Sequence, residues 1–332
     1  MPLFVFKVGT KFGLFDESGK IILPPSYKWL YRSRGGIVTG SVSDDTAILI
    51  DVESFRQKRL EGIHDVGQCS PAGLISIVDS AGLVGFVDRK GTVRIEPQFN
   101  WASDFDCFGA TVKRRATDQY HRRINADGTE VGELWRSVIP FHPDGNGSGA
   151  RIDWGGINMV SIDAYGNRRS KECFKQVWRK HEGLTPVAID DNWVGFLDED
   201  DRLADKFEAS FIGNHFQDGR VPVQIDGDKW GLMHKDRRWV IDPLYDVIEG
   251  IGEGRYMVGN RDERENPVVR LADSEGNIVS DRWFNEIGFF HEGWAETTTY
   301  QYLPDREEPE FRTTYISRFG DELFPPNEGS LS

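Results

Sequence analysis

The sequence predicts an all-β protein built from about eight or nine tandem repeats of ~37 residues. Two closely similar stretches give the first observation, KFGLFDESGKIILPPSY at residues 11–27 and KWGLMHKDRRWVIDPLYD at residues 229–246. In both, an aromatic-glycine pair precedes a central slot, and Pro-x-Tyr begins nine residues after it. The slot recurs at intervals of 35 to 39 residues and is occupied by Asp16, Asp51, Asp88, Asn125, Asp163, Asp198, His234 and Asp273.

These slot residues form one ladder, that is, a series of residues that recurs with a nearly constant period. A second ladder, identified independently of the first, consists of glycines that begin short apolar segments. Its members are Gly36, Gly73, Gly109, Gly149, Gly183, Gly219, Gly254 and Gly293, at spacings of 34 to 40 residues. Two independent ladders with one period indicate tandem repetition rather than chance.

The segments between the ladders read as strands and turns. The apolar runs are four to six residues long, rich in Val, Ile, Phe and Trp, and bounded by Gly, Pro, Asn and Asp. This pattern predicts two or three strands per unit. Three residues after the slot, glycine recurs at Gly19, Gly91, Gly128, Gly166 and Gly276. We expect a tight turn there whose last residue has positive φ and whose Asp accepts backbone N–H bonds.

The repeats predict a single domain of stacked units, because one unit cannot cover its own apolar face. The units lie near residues 1–36, 37–73, 74–109, 110–149, 150–183, 184–219, 220–254 and 255–293, with a partial ninth at 294–332. Two arrangements fit this period, an open superhelical solenoid and a β-propeller. The drifting repeat length and the worn last copy favour the solenoid, with the propeller as the alternative.

The repeated unit resembles the bacterial WG-type β-repeat. The resemblance is carried by Lys11-Phe12-Gly13, Val84-Gly85-Phe86, Val194-Gly195-Phe196 and Lys229-Trp230-Gly231. It implies a stacked β architecture and no catalytic residues.

The composition points to a cytoplasmic protein. Three cysteines, Cys69, Cys107 and Cys173, lack metal-ligand spacing and are expected to be reduced thiols in or near the core. No apolar run is long enough to predict a signal peptide or a membrane span. The only basic stretch with aromatic residues, RRATDQYHRR at residues 114–123, reads as a solvated strand and turn rather than a nucleic-acid site.

Enzyme signatures are missing from the sequence. The seven histidines stand singly, without the spacing that presents two imidazoles to one metal ion, and no phosphate-binding GxxxxGK[ST] loop or GxSxG elbow occurs. We therefore expect a non-enzymatic protein without cofactor or metal. The repeated Asp is expected to be a turn residue rather than a ligand, because Asn125 and His234 also occupy its slot.

Charge is distributed unevenly along the chain. Residues 1–180 carry 25 Lys and Arg against 21 Asp and Glu, whereas residues 181–332 carry 15 against 33. The acidic half predicts a surface that attracts a basic protein, with simple solubility as the competing interpretation. The longest insertion, Thr297 to Thr313, combines tyrosines with acidic residues and reads as a binding loop or a floppy terminal loop. The candidate contact residues are Tyr300, Tyr302, Asp305, Glu307, Glu308, Asp190, Asp191, Asp200, Asp226 and Asp228.

The expected function is therefore a protein-interaction scaffold. An acidic immunity-type protein that neutralises a basic effector such as a nuclease toxin is the specific form of this hypothesis. The alternative is a carbohydrate-binding module that uses Trp193, Trp230 and Trp239 as an aromatic shelf.

Overall fold

A computed structural model describes residues 2–31, 34–141, 146–152, 158–225, 228–302 and 308–326. Within these ranges every regular element is a β-strand, so the predicted all-β class is confirmed. The chain divides into two compact units. The first unit comprises residues 1–180 and the tail from Pro326, and the second comprises residues 181–325.

The first unit contains sheets 1 to 5 and one further short strand. Sheet 1 consists of β1 (Leu3–Val8), β2 (Lys11–Asp16) and β3 (Ile21–Tyr27); sheet 2 of β4 (Trp29–Leu30), β5 (Ile37–Ser43), β6 (Thr46–Asp51) and β7 (Gln57–Glu61). Sheet 3 consists of β8 (Ile63–Val66), β9 (Leu74–Asp79), β10 (Val84–Asp88) and β11 (Val93–Phe99). Sheet 4 consists of β12 (Trp101–Ala102), β13 (Ala110–Lys113), β14 (His121–Ile124) and β15 (Glu130–Trp135); sheet 5 of β16 (Ser137–Val138), β17 (Gly147–Arg151) and β18 (Met159–Asp163). The short strand is β19 (Gln176–Val177).

The second unit contains sheets 6 to 9. Its part of sheet 6 comprises β20 (Thr185–Ala188), β21 (Trp193–Leu197) and β22 (Leu203–Glu208); sheet 7 comprises β23 (Phe211–Ile212), β24 (Arg220–Ile225), β25 (Lys229–His234) and β26 (Trp239–Tyr245). Sheet 8 comprises β27 (Val247–Gly250), β28 (Arg255–Arg261) and β29 (Pro267–Asp273); sheet 9 comprises β30 (Glu286–Ile287), β31 (Trp294–Gln301), β32 (Glu310–Ser317) and β33 (Glu322–Leu323).

Each sheet is an antiparallel meander whose neighbouring strands follow one another in sequence. Over the described residues there are nine such sheets, with up to four strands in each, and they are blades of a β-propeller. The β-propeller, which the sequence predicted as the alternative, is therefore the fold, and the favoured prediction of an open solenoid is wrong. One reason for this error is that the sequence indicated only two or three strands per unit. The fourth strand of a blade gives no sequence signal, since it is often only two residues long. The worn last copy, in turn, is the second half of a ninth sheet rather than a cap.

Apolar side chains are buried between successive sheets, as stacking requires. In the first unit, Leu3 and Leu14 of sheet 1 pack with Val38 and Ile48 of sheet 2, and all four are at most 1% exposed. In the second unit, Leu232 of sheet 7 belongs to one core cluster with residues of sheet 8, namely Ile248, Tyr256, Val258 and Ala272. Each interface therefore belongs to two repeats at once.

The buried side chain of Arg123, in β14, connects sheets 4 and 5. The guanidinium of Arg123 lies 2.8 Å from the Asp106 carboxylate, and the two side chains are 1% and 7% exposed. Arg123 also donates to the carbonyl oxygen of Ala164 and lies 4.1 Å from the ring centre of Phe141. Burial of an arginine is tolerated here because each of these partners satisfies it.

The recurring slot is a turn, as predicted. The carboxylate of Asp16 accepts the N–H groups of Ser18 and Lys20, at 2.9 and 3.1 Å, and Asp88 accepts those two and four residues onward at 2.9 and 3.0 Å. The Ser18 hydroxyl hydrogen bond lowers the pKa of Asp16. All five predicted glycines have positive φ. Where glycine is missing, Asp201 and Arg237 adopt the same conformation, with φ of 61° and 69°.

The glycine of each aromatic-glycine pair is needed for close approach of the next strand. A Cβ atom added to Gly231 would lie 2.7 Å from the carbonyl oxygen of Ile241 and 2.9 Å from the nitrogen of Pro243. The register of β25 with β26 shifts at this point, which brings the bulged backbone of β26 against β25. Gly13 and Gly85 are constrained in the same way, with carbonyl oxygens at 2.6 Å.

We predict that Gly231→Ala lowers the free energy of unfolding by about 1–3 kcal/mol, because the added methyl group must displace backbone atoms. Gly250→Ala is the matched control, since it is also a strand glycine but its Cβ meets nothing closer than 3.5 Å. Chemical denaturation of both variants measures the difference. Equal stability of the two variants contradicts the close-approach explanation.

Candidate protein-binding surface

The strands of the second unit have two distinct ends. The turns that link first to second strands and third to fourth strands lie together, because Lys235 N–H donates to the Gly219 carbonyl oxygen at 2.9 Å and Arg318 N–H to that of Gly293 at 2.8 Å. We call this side the turn end. The hairpins that link second to third strands lie at the opposite end of the same strands, and we call that side the hairpin end.

Hydrogen bonds between sheets fasten the turn end of the second unit. The Glu182 carboxylate of sheet 6 accepts the N–H groups of Asp218 and Gly219 in sheet 7, both at 2.7 Å. The Glu253 carboxylate of sheet 8 accepts the N–H of Gly293 in sheet 9 at 3.1 Å. Each carboxylate therefore caps the turn of the next sheet, and these acidic residues of the turn end hold successive sheets together.

These capping acids belong to turns that the sequence analysis recognised only by their glycines. The residue before each glycine has positive φ, at 53° for Glu182, 50° for Asp218, 51° for Glu253 and 54° for Glu292. A left-handed conformation costs a non-glycine residue about 1–2 kcal/mol. The recurrence of an acidic residue before the ladder glycine was the signal that could have revealed this role.

The hairpin end carries most of the acidic candidates that the structure describes. Asp190 lies in the hairpin between β20 and β21, where its carboxylate accepts the N–H groups of Asn192 and Trp193 at 2.8 and 2.9 Å. Asp191 beside it is exposed, and Asp228 is exposed in the next hairpin with φ of 61°. These three residues are therefore on one end of two successive sheets.

Both ends of the segment Thr297 to Thr313 are strands rather than the expected insertion loop, and residues 303–307 lie outside the described residues. Thr297–Gln301 lies in β31 and pairs with β32, with Tyr300 opposite Phe311 and Gln301 opposite Glu310. Each of these strands has eight residues. The sheet therefore extends further at the hairpin end than its neighbours do. Glu308 is exposed next to β32.

The two candidate tyrosines are fixed by different contacts. Tyr300 packs edge-on against Phe311, whose ring is 66% exposed, with 5.1 Å between the ring centres. The Tyr302 hydroxyl accepts a hydrogen bond from Asn266 at 3.1 Å, and the Arg264 guanidinium lies 4.0 Å from the ring centre. Tyr302 is thus held by the hairpin of sheet 8, and exposed Phe311 joins the surface as a residue that the sequence analysis missed.

The remaining candidates lie elsewhere. Asp200 is on the turn between β21 and β22, at the turn end, where it pairs with Arg202 at 3.1 Å, so the structure does not bring it to the hairpin candidates. Asp226, Asp305 and Glu307 lie outside the described residues. Of the three tryptophans of the carbohydrate hypothesis, Trp193 is 40% exposed, whereas Trp230 and Trp239 are half-buried.

Two further sequence expectations can be compared with the described residues. Cys69 is buried, but Cys107 and Cys173 are exposed, which corrects the expectation that all three thiols lie in or near the core. In the basic stretch, Arg114 and Arg122 both pair with Glu130. The described part of the chain contains no helix able to cross a bilayer and no cluster of three or more potential metal ligands.

One ion pair at the hairpin end defines the local electrostatics of sheet 7. The Lys229 ammonium donates to the Asp246 carboxylate, and the Arg261 N–H donates to the other carboxylate oxygen at 3.0 Å. The lysine hydrogen bond is the main cause that lowers the pKa of Asp246, followed by the Arg261 N–H. The lysine of the Lys-Trp-Gly motif is therefore neutralised within its own repeat.

We predict that Asp246→Asn lowers the free energy of unfolding at pH 7 by no more than about 1 kcal/mol, because the pair is partly exposed. Since the folded pKa of Asp246 lies below its unfolded value, this stabilisation is present above about pH 4 and is lost as the pH falls through the folded pKa. Thermal unfolding of both proteins from pH 7 to pH 2 tests the prediction. A difference that persists in acid contradicts the ion-pair explanation.

Comparisons with known proteins concern the repeats and the fold. No curated protein matches the chain. Among solved structures, one titled "Crystal structure of the eukaryotic initiation factor" has a TM-score of 0.56 at 11% identity, covering 97% of this chain and 94% of that one, which shows a shared fold alone. KlHsv2 with a replaced loop (TM-score 0.41, 9% identity, 98% and 96% coverage) and BamB from Moraxella catarrhalis (0.40, 12%, 89% and 93%) are less similar.

The family described as "WG containing repeat" matches residues 12–38, 85–109 and 230–262. These matches begin in sheets 1, 3 and 7, each extends into the following sheet, and they show that these three stretches are similar to WG-type β-repeats.

Proposed function

We propose that the protein is a non-enzymatic scaffold whose second unit binds a basic protein through its hairpin end. The observation that carries this proposal is the arrangement of acidic residues on successive hairpins. Exposed carboxylates occur at Asp191, Asp228, Glu263, Glu265 and Glu308, in sheets 6, 7, 8 and 9. At the turn end, by contrast, Glu182 and Glu253 cap neighbouring turns, and Asp200, Asp236 and Glu275 pair with arginines.

Charge and apolar contact are combined on this surface. Phe311 is 66% exposed beside Tyr300, and Trp193 is 40% exposed at the start of β21. Aromatic side chains supply much of the binding energy at protein interfaces, whereas charge speeds association and selects partners of opposite sign. A basic protein can therefore be attracted by the carboxylates and held by the rings.

The specific form of the proposal is an immunity-type role in the cytoplasm. The acidic stretch that begins at residue 181 coincides with the second compact unit, so its charge is concentrated in one folded body. A basic effector, such as a nuclease that binds nucleic-acid phosphates, presents the complementary charge. Binding through the acidic unit then covers the surface that the effector needs for its substrate.

We predict that a basic protein is captured from the native cell by the immobilised chain at low salt and released at high salt, because exposed charges are screened. The triple variant Asp190→Asn, Asp191→Asn and Asp228→Asn weakens this interaction at least tenfold, or about 1.4 kcal/mol. Asparagine at position 190 keeps an acceptor for the two turn N–H groups, so the fold is retained. Titration by surface plasmon resonance measures the affinity.

The matched control removes three negative charges at the turn end, with Glu199→Gln, Asp236→Asn and Glu275→Gln. Its affinity is expected to stay within about twofold of the parent at moderate salt, where long-range charge effects are small. Equal weakening by both triple variants shows that only net charge matters. Capture of a partner that is not basic, or binding that ignores salt, contradicts the proposal.

A further inference from the structure

The first unit contains a cleft of about 580 Å³ beside its β1–β2 and β5–β6 hairpins, and three lysines line it. It lies between sheets 1 and 2, and its lining residues are Lys7, Thr10, Lys11, Phe12, Lys28, Val42, Ser43 and Asp44. The three lysines are exposed, and the Lys7 ammonium lies 5.5 Å from the ring centre of Phe12. Lys28 pairs with Asp44, whose side chain is 92% exposed. The cleft therefore holds three cations against one anion.

Comparison of repeats within the chain shows that this charge is not required by the fold. Lys11 occupies the same motif position as Lys229, since each precedes the aromatic-glycine pair. In sheet 7 the residue after Pro-x-Tyr is Asp246, which neutralises Lys229. In sheet 1 the residue after Pro-x-Tyr is Lys28. The first repeat has thus replaced the acidic partner of its motif lysine with a second lysine.

The third lysine, Lys7, also adds positive charge at a position where sheet 7 has none. Lys7 pairs with Phe12 across the β1–β2 hairpin, and Gln224 pairs with Trp230 in the corresponding register of β24 and β25. Lys7 therefore stands where sheet 7 has a neutral glutamine. The same framework carries an internally neutral pair in one repeat and three cations in the other, so the charge is a property of this cleft and not of the motif.

We propose that the cleft binds a small phosphate-bearing anion. Lysine ammonium groups bind phosphate as point charges, and the hydroxyl group of Thr10 adds a hydrogen-bond donor at the rim. A phosphate group carries close to two negative charges at neutral pH, which matches the excess of two cations better than a single carboxylate does. Phe12 and Val42 supply an apolar wall against which the remainder of the ligand packs.

Phosphate can reach the cleft as a free anion or as a lipid headgroup, and the experiment separates these sources. Inorganic pyrophosphate is titrated into the protein by calorimetry at low ionic strength, and vesicles of phosphatidylcholine with phosphatidic acid are tested by co-sedimentation. We expect saturable pyrophosphate binding that weakens with added salt. Binding to the vesicles as well, lost in the variant below, assigns the lipid headgroup as a ligand of the same cleft.

The decisive variant is Lys28→Asp, which gives sheet 1 the lysine–aspartate pair of sheet 7; thermal unfolding checks its stability, because the change also removes the exposed Lys28–Asp44 ion pair. Pyrophosphate affinity is expected to fall at least tenfold, or about 1.4 kcal/mol. Lys90→Asp is the control, because it makes the same change of charge at an exposed turn between β10 and β11. It should bind within about twofold of the parent at moderate salt.

The proposal is overturned if neither pyrophosphate nor the vesicles bind the parent protein, or if Lys28→Asp and Lys90→Asp lose affinity equally. Because the cleft lies in the first unit and the acidic hairpins in the second, loss of pyrophosphate binding in Lys28→Asp leaves the capture of a basic protein unaffected. The two proposals can therefore fail separately.

Discussion

The burial of apolar side chains between successive sheets is the constraint on which the rest of this structure depends. A meander of three or four strands has two faces, and no sheet has enough of its own side chains to cover both. Leu14 of sheet 1 is buried in one cluster with Val38 of sheet 2, and Leu232 of sheet 7 is buried together with Tyr256 of sheet 8. The repeat period follows from this requirement, because each unit must present the same two faces. The glycines of the aromatic-glycine pairs act within each sheet, where they let the last strand approach closely.

The turn end and the hairpin end of the second unit contribute differently to the stacking of the sheets. At the turn end of the second unit, Glu182 and Glu253 bind backbone N–H groups of the next sheet, and these contacts position one sheet on another. Among the residues that the structure describes in the second unit, the hairpins make fewer bonds of this kind, and we infer that their sequences vary more freely between repeats. This freedom explains how one motif position can carry a neutral ion pair at Lys229 and an excess of lysines around Lys11. Function can therefore change at the hairpin end while the fold is kept by the turn end.

The sequence predicted those features that depend on local chemistry. The slot aspartates and their glycines could be read directly, because the turn needs a side-chain acceptor and a positive φ within five residues. The four-stranded blade could not, since a first strand as short as Phe211–Ile212 leaves no periodic signal. The partners of Tyr302 were also hidden, because Arg264 and Asn266 belong to the preceding repeat and only packing brings them near. The strand residues 297–301 and 310–313 were misread as a loop, because Thr and charged residues on an exposed strand resemble a loop.

The central claim is that the hairpin end of the second unit binds while its turn end holds the sheets together. Hydrogen–deuterium exchange of the chain, alone and in complex with its captured basic partner, tests this division directly. The account predicts slower exchange in the complex at Asp190–Trp193, at the hairpin around Asp228 and at Tyr300–Tyr302, with no change at Glu182–Gly183 or Glu253–Gly254. Slower exchange at those turns, with unchanged hairpins, would contradict it.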